Sequence, residues 1–311
     1  MIRLAYIDHV GLAVRDLDEA AGRWCEQFGL VERSREDGVA RLACDDEPYC
    51  VELSEAGDGA AGIDHVAWEL HADCDVDAAR AHLDGLGVEV EDDPHGGLSC
   101  RDPDGNRIQL MPARERSGVE RYVQHARPAA GVPGAPRKLG HANFLTGSLT
   151  DQTRFYTEAL GMKVSDRLDD AGVWLRIGSE HHVMALVDTG DAHPHHLAFE
   201  YVDFGHKIAA LDHLARHGRW LGWGPVRHGI AGNMASYVRI VEEECFVELF
   251  CDMEHVPDDH EPRTYLDDRF SSNTWGPLPP RSYFRFDEAA IESERESLET
   301  RGVPLAPPEG R

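Results

Sequence analysis

Two histidines and a glutamate in the second half of the chain have the types and setting for metal chemistry. His141 and His196 each stand on an apolar first strand of a repeated unit, and Glu248 stands in the run Phe246-Val247-Glu248-Leu249-Phe250. Strand alternation puts Phe246, Glu248 and Phe250 on one face. A carboxylate between two inward aromatics is costly unless it is paired or bound to a cation. Two imidazoles and one carboxylate can occupy one face of a divalent first-row metal and leave its other positions open. Taken singly, each has an ordinary explanation, a core histidine or a strand-edge acid. Their recurrence at matched positions of a repeat favours the metal.

The repeat is legible in the spacing. Ile7-Asp8-His9-Val10-Gly11-Leu12 is similar to Leu139-Gly140-His141-Ala142-Asn143-Phe144, and in each half 20 residues separate the histidine from a helix-ending glycine, Gly29 or Gly161. Asp64-His65-Val66-Ala67-Trp68-Glu69 is similar to His195-His196-Leu197-Ala198-Phe199-Glu200, placed 56 and 55 residues after His9 and His141. Each half therefore holds two similar units, and each unit reads strand, helix, then short strands. The first has a strand over 7–14, a helix capped by Asp18 and Gly29, and short strands at 39–42 and 49–53, the latter alternating Val51 and Leu53 against Cys50 and Glu52. The second has a strand over 63–70, a helix over 76–86, and strands at 97–100 and 108–111. Asp102-Pro103-Asp104-Gly105-Asn106 joins these two strands as a turn, lacking the full ligand spacing of a calcium loop. The third has a strand over 139–145, a helix over 151–160, and strands near 173–177 and 182–187. The fourth has a strand over 196–202, a helix over 205–216, and strands near 235–241 and 245–250.

An α+β fold of four such units, paired into two domains, follows: residues 1–113, a linker over 114–137 with Pro128, Pro133 and Pro136, then residues 138–253. Residues 254–311 form a lid segment and tail, with a polar helix expected over 288–300. The 311 residues suit two domains. With 57 acidic against 31 basic residues, the net charge of −26 opposes nucleic acid and anionic membranes. No run of apolar residues is long enough to span a bilayer, and no signal peptide is read at the start. Seven cysteines without a CxxC pair fit reduced thiols and a cytoplasmic protein.

This plan resembles the vicinal oxygen chelate superfamily and, within it, the type I extradiol ring-cleavage dioxygenases, over about residues 5–253. The resemblance implies βαβββ modules, a metal triad at His141, His196 and Glu248, and Fe(II), with Mn(II) as the alternative. Gly224-Pro225-Val226-Arg227-His228-Gly229 looks like the family's GP-x-RHG segment, which places an active-site histidine at His228 and, nine residues on, a tyrosine at Tyr237. His182-Val183-Met184-Ala185-Leu186 resembles the segment bearing the catalytic histidine; His181 is its neighbour and the competing choice. The implied reaction is cleavage of a catecholic ring with both atoms of O2 incorporated, in a homo-oligomer. In this reading His182 takes a proton from a substrate hydroxyl and later returns it. His228 and Tyr237 stabilise charge on the substrate oxygens.

In the first half His9, His65 and Gln109 fall in the slots of the triad. An amide is a poor substitute for a carboxylate, and the resemblance implies a metal-free first domain with hydrogen-bonded histidines. His193, His195, His255 and His260 read as surface or loop residues. Over 254–286, Tyr265, Phe270, Trp275 and Tyr283 are candidates to cover the mouth of the site, and Arg176, Arg269 and Arg281 are candidates for a substrate carboxylate. Position 223 is Trp where the homoprotocatechuate branch has Arg, which argues for a less anionic or bulkier catechol. Two other functions compete on the same fold: a non-catalytic module that binds a small molecule or antibiotic, and a glyoxalase-like isomerase. The set His182, His228 and Tyr237 separates them, because a sequestering protein needs no acid–base groups around a metal.

Overall fold

A computed structural model describes residues 2–44, 48–114 and 134–284. Most of the expected linker and the expected helix over 288–300 lie outside these residues. The first unit runs β1 (Leu4–Val14), α1 (Leu17–Phe28), β2 (Val31–Glu36), β3 (Val39–Ala43) and β4 (Val51–Glu55). The second runs β5 (Gly62–Leu70), α2 (Val76–Gly85), β6 (Val90–Asp92), β7 (Leu98–Arg101) and β8 (Arg107–Met111). The third runs β9 (Lys138–Thr146), α3 (Leu149–Arg154), a π-helical turn (Phe155–Ala159), β10 (Lys163–Leu168), β11 (Gly172–Arg176) and β12 (Met184–Asp188). The fourth runs β13 (His193–Glu200), α4 (Phe204–Arg216), β14 (Leu221–Arg227), β15 (Met234–Ile240) and β16 (Cys245–Cys251). A strap follows, with β17 (Arg263–Tyr265), a single turn α5 (Arg269–Ser272) and a 3-10 turn (Arg281–Phe284).

Local chemistry sets the helix ends. An aspartate caps α1, α2 and α4: Asp16, Asp75 and Asp203 accept from the backbone N–H three residues on. The cap of α1 is thus Asp16 and not Asp18, which sits in the first turn and pairs with Arg35. Gly29 closes α1 in the left-handed conformation, its N–H bonded to the Cys25 carbonyl.

Each half is one sheet. The strand orders are β2-β3-β4-β1-β5-β8-β7-β6 and β14-β15-β16-β13-β9-β12-β11-β10-β17. Within each sheet the two units meet through their first strands, antiparallel, so a pseudo-dyad runs between β1 and β5 and another between β9 and β13. Equivalent residues share register: His9 faces Ala67 as His141 faces Ala198, and Gly11 faces His65 as Asn143 faces His196. The outer parallel pairs match too. Ala67 aligns with Gln109 as Ala198 does with Glu248, and Gly11 aligns with Glu52 as Asn143 does with Ala185. Every half therefore presents four equivalent inward slots.

The halves are joined by a buried ion pair as well as by apolar packing. Arg23 of α1, its side chain 5% exposed, bonds both oxygens of Glu243 in the β15–β16 turn, whose side chain is 1% exposed. Replacing Arg23 with Met should leave that carboxylate unpaired and cost about 3–5 kcal/mol of stability in a urea titration. A loss below about 1 kcal/mol would place the pair in the class of surface bridges.

Candidate active site

The second sheet curls around a cavity of about 120 Å³ whose lining includes His141, His182, His196, His228, Tyr237 and Glu248. The three expected metal ligands and His182, His228 and Tyr237 are brought to this one place, while His181, the competing choice for the acid–base histidine, is not in the lining. His141 comes from β9, His196 from β13 and Glu248 from β16; all three are buried. One oxygen of Glu248, Oε2, lies 3.1 Å from His141 Nε2 and 3.2 Å from His196 Nε2. The other, Oε1, accepts from Asn233 Nδ2 at 3.0 Å. Asn233 was not anticipated: it lies in the loop before β15, where no periodicity marks it. Burial works to raise the Glu248 carboxyl, but His141 and His196 outweigh it and hold it well below the usual carboxylate range.

Two tandem histidine pairs fix ring orientation. His196 Nδ1 lies 2.8 Å from His195 Nδ1, and His195 Nε2 lies 2.6 Å from the Tyr283 carbonyl. A carbonyl only accepts, so His195 donates through Nε2, its Nδ1 accepts, and His196 donates through Nδ1. The lone pair of His196 is then on Nε2, aimed at Glu248. His182 repeats the device. Its Nδ1 lies 3.1 Å from His181 Nδ1, and His181 Nε2 lies 2.8 Å from Asp166 Oδ2. Burial raises Asp166, but hydrogen bonds from His181 and Arg263 outweigh it and keep it ionised. The same bookkeeping leaves the lone pair of His182 on Nε2.

His182, just ahead of β12, therefore faces the cavity, its ring centroid 4.4 Å from that of His141, while His181 faces Asp166 and the strap. His195 is a correction to the sequence expectation: it is fully buried, because it braces His196 against the strap. His255 is exposed, as expected, and His193 and His260 are half-buried.

His228, in the loop after β14, donates from Nδ1 to the Ser272 carbonyl at 2.9 Å and accepts at Nε2 from the Tyr237 hydroxyl at 2.7 Å. Burial lowers His182 well below the ordinary histidine value, with His141 and His181 adding to it, and burial likewise lowers His228. Burial and then Glu248 raise Tyr237 well above the ordinary phenol. The cavity thus holds two neutral imidazoles and a protonated phenol.

Ser271, Ser272, Tyr283 and Phe284 of the strap line the cavity; of the aromatics expected over its mouth only Tyr283 is among them, while Phe270 and Trp275 are exposed and outside the lining. Tyr283 packs on Trp223 and Tyr237, with ring centroids 4.7 and 4.8 Å away. Trp223 donates from Nε1 to the Pro277 carbonyl at 2.8 Å, so it anchors the strap. Gly229 lets the strap approach: a Cβ there would lie 1.9 Å from the Phe270 carbonyl oxygen. Tyr265 pairs on β17 against β10, outside the cavity lining. Arg176 is also not a substrate contact; it is 2% exposed and bonds the Asp258 carbonyl. The side chains of Arg269 and Arg281 lie outside the described set.

The donor set suits a divalent metal. A His196 lone pair and a carboxylate oxygen 3.2 Å apart repel each other unless a proton or a metal ion lies between them, and two imidazoles with one carboxylate match the ligand preferences of first-row ions. His141, His196 and Glu248 offer ligand atoms that all lie within 4.8 Å of one another. The model of the Glyoxalase/Bleomycin resistance protein/Dioxygenase superfamily matches residues 6–110 and 138–243. The chain belongs to this superfamily. Among superfamily relatives, metapyrocatechase 2 of Cupriavidus necator is 29% identical over 91% of this chain and 92% of its own. The structure is similar to that of the Mn(II)-bound glyoxalase from Novosphingobium aromaticivorans, with a TM-score of 0.77 and 25% identity over 91% of this chain and 94% of the other. It shares the fold of the 2,3-dioxygenase LapB from Pseudomonas sp. KL28, with a TM-score of 0.74 and 24% identity over 86% and 98%. Among the described residues, no helix is long and apolar enough to cross a membrane, and all seven cysteines are free thiols.

Proposed function

We propose that the second half of this chain, residues 138–253 with the strap as lid, is an extradiol dioxygenase centre that opens a catecholic ring and incorporates both atoms of O2. The first half, residues 1–113, supports it. His141, His196 and Glu248 hold the metal, which we assign as Fe(II), with Mn(II) as the alternative. When bound, the ion supplies redox chemistry and open positions for two vicinal substrate oxygens and O2. The observation that carries the reading is the convergence of His182, His228 and Tyr237 on the cavity that holds the triad.

Each of these groups has a task set by its hydrogen bonds. His182 is neutral with its Nε2 lone pair free of His181, so it accepts a proton from a substrate hydroxyl and gives it back to an oxygen of the opening ring. Tyr237 and His228 form a bonded pair beside the triad. They orient the substrate oxygens and stabilise negative charge as it develops. Trp223, Tyr237 and Tyr283 form an aromatic wall that holds a planar ring and excludes water. No Lys or Arg is among the described residues that line the cavity. The substrate class that fits is an uncharged catechol with small or apolar substituents. The free thiols suit a reducing, cytoplasmic compartment.

After anaerobic reconstitution with Fe(II), a panel of uncharged catechols should give oxygen uptake with a yellow ring-opened product. A catechol bearing a carboxylate should react at least about tenfold less efficiently. Turnover of a thiol adduct without oxygen uptake would favour the isomerase reading, which the likeness to the Mn(II)-bound glyoxalase keeps in view.

A further inference from the structure

The four-slot register shows what the first sheet does with its histidines. His9 and His65 occupy the slots of His141 and His196, and Gln109 occupies the slot of Glu248. Gln109 is turned away, donating to Asp93 Oδ2 at 2.9 Å. The fourth slot, filled by Ala185 in the second sheet, holds Glu52 in the first. The pseudo-dyad relates these two slots, so the first sheet keeps two imidazoles and one carboxylate, with the acid moved to the opposite side. Ligand atoms of His9, Glu52 and His65 all lie within 4.8 Å of one another.

Hydrogen bonds point both rings at the same spot. His9 Nδ1 lies 2.5 Å from Asp8 Oδ1, and His65 Nδ1 lies 2.8 Å from Asp64 Oδ2. Each ring donates through Nδ1 to the carboxylate of the residue before it, the arrangement that orients metal-ligating histidines. Their Nε2 atoms then carry lone pairs and face each other at 3.0 Å. Two lone pairs approach so closely only with a metal ion or a proton shared between them. Gly11 makes the space: a Cβ there would lie 2.0 Å from Cε1 of His65. Arg41 bonds one oxygen of Glu52 at 2.9 Å and fixes the carboxylate's direction.

We propose that the first domain binds a second divalent first-row transition metal through His9, Glu52 and His65. The ion clamps β1, β4 and β5 across the seam between the first two units. His9 and His65 are buried and the Glu52 side chain is 12% exposed, which fits a structural role.

The test counts metal and does not depend on the reaction. The metal-stripped full chain is titrated with Zn(II) alone, and then with Co(II) alone, whose visible absorption reports nitrogen ligation. The native chain should take up two ions, Glu248→Gln one, and Glu248→Gln combined with Glu52→Gln none. His65→Asn in place of Glu52→Gln should also give none, with circular dichroism confirming that the fold is kept. One ion in the native chain and none in Glu248→Gln would overturn the proposal and leave a proton shared between the two rings. One ion retained in both double variants would overturn it as well. Failure of the catechol assay leaves these counts unaffected, so the two readings fail separately.

Discussion

Glu248→Gln is expected to abolish catechol-dependent oxygen uptake and to empty the metal position of the second half. Glutamine keeps the shape of the side chain and can still accept from Asn233, so the change removes charge and little else. The apoprotein should also lose some stability near neutral pH, because His141 and His196 hold the buried carboxylate below the usual range and its charge favours the folded state. What should vanish is the stabilisation conferred by metal on that half, about 2.7 kcal/mol at a hundredfold excess over Kd. Thermal melting with and without Fe(II), in a Glu52→Gln background to isolate this position, reads the effect. Native activity with iron still held in that half would remove Glu248 from the ligand set.

The second large effect concerns proton transfer. His182→Phe should slow turnover by about 10²- to 10⁴-fold while iron content and substrate KM stay near native values. The ring faces His141 but its lone pair is not part of the triad, so metal affinity is not at stake. His181→Phe should give a smaller loss, since it removes the bond from Asp166 that dictates the tautomer of His182 and leaves the base itself in place. Single-turnover rates under limiting O2 separate the two. Normal turnover in His182→Phe alongside a dead His181→Phe would assign the base to the wrong ring.

Much of this site was legible because duplication writes it twice. His141 and His196 stood out by their spacing from each other and from Gly161, and by having counterparts in His9 and His65. Glu248 stood out because an acid between Phe246 and Phe250 needs a partner. His228 and Tyr237 needed the family likeness, since a loop histidine and a strand tyrosine carry no periodic signal. The choice of His182 over His181 depended on which ring faces Asp166, a contact between β10 and the segment ahead of β12 that no local pattern encodes. His195 was misplaced at the surface for a similar reason: its partner, the Tyr283 carbonyl, lies 88 residues away. Glu52 did carry a signal. It alternates with Val51 and Leu53 much as Glu248 alternates with Val247 and Leu249, but only the pairing of β4 with β1 shows that it points at His9 and His65.

The Tyr283 carbonyl that holds His195 gives the site an order of manufacture. His141, His196 and Glu248 leave the ribosome before the strap does, and until the 3-10 turn at Arg281–Phe284 is made, His195 lacks its acceptor and the cavity lacks its roof. Metal taken up by a nascent chain would sit in an open bowl, so productive loading belongs to the finished polypeptide. The strap also passes over the surface with Leu266 at 72% and Leu278 at 56% exposure. A single protease nick between those residues would fall in the stretch whose Ser271 and Ser272 line the cavity and whose Ser272 carbonyl holds His228, and would open the site to water.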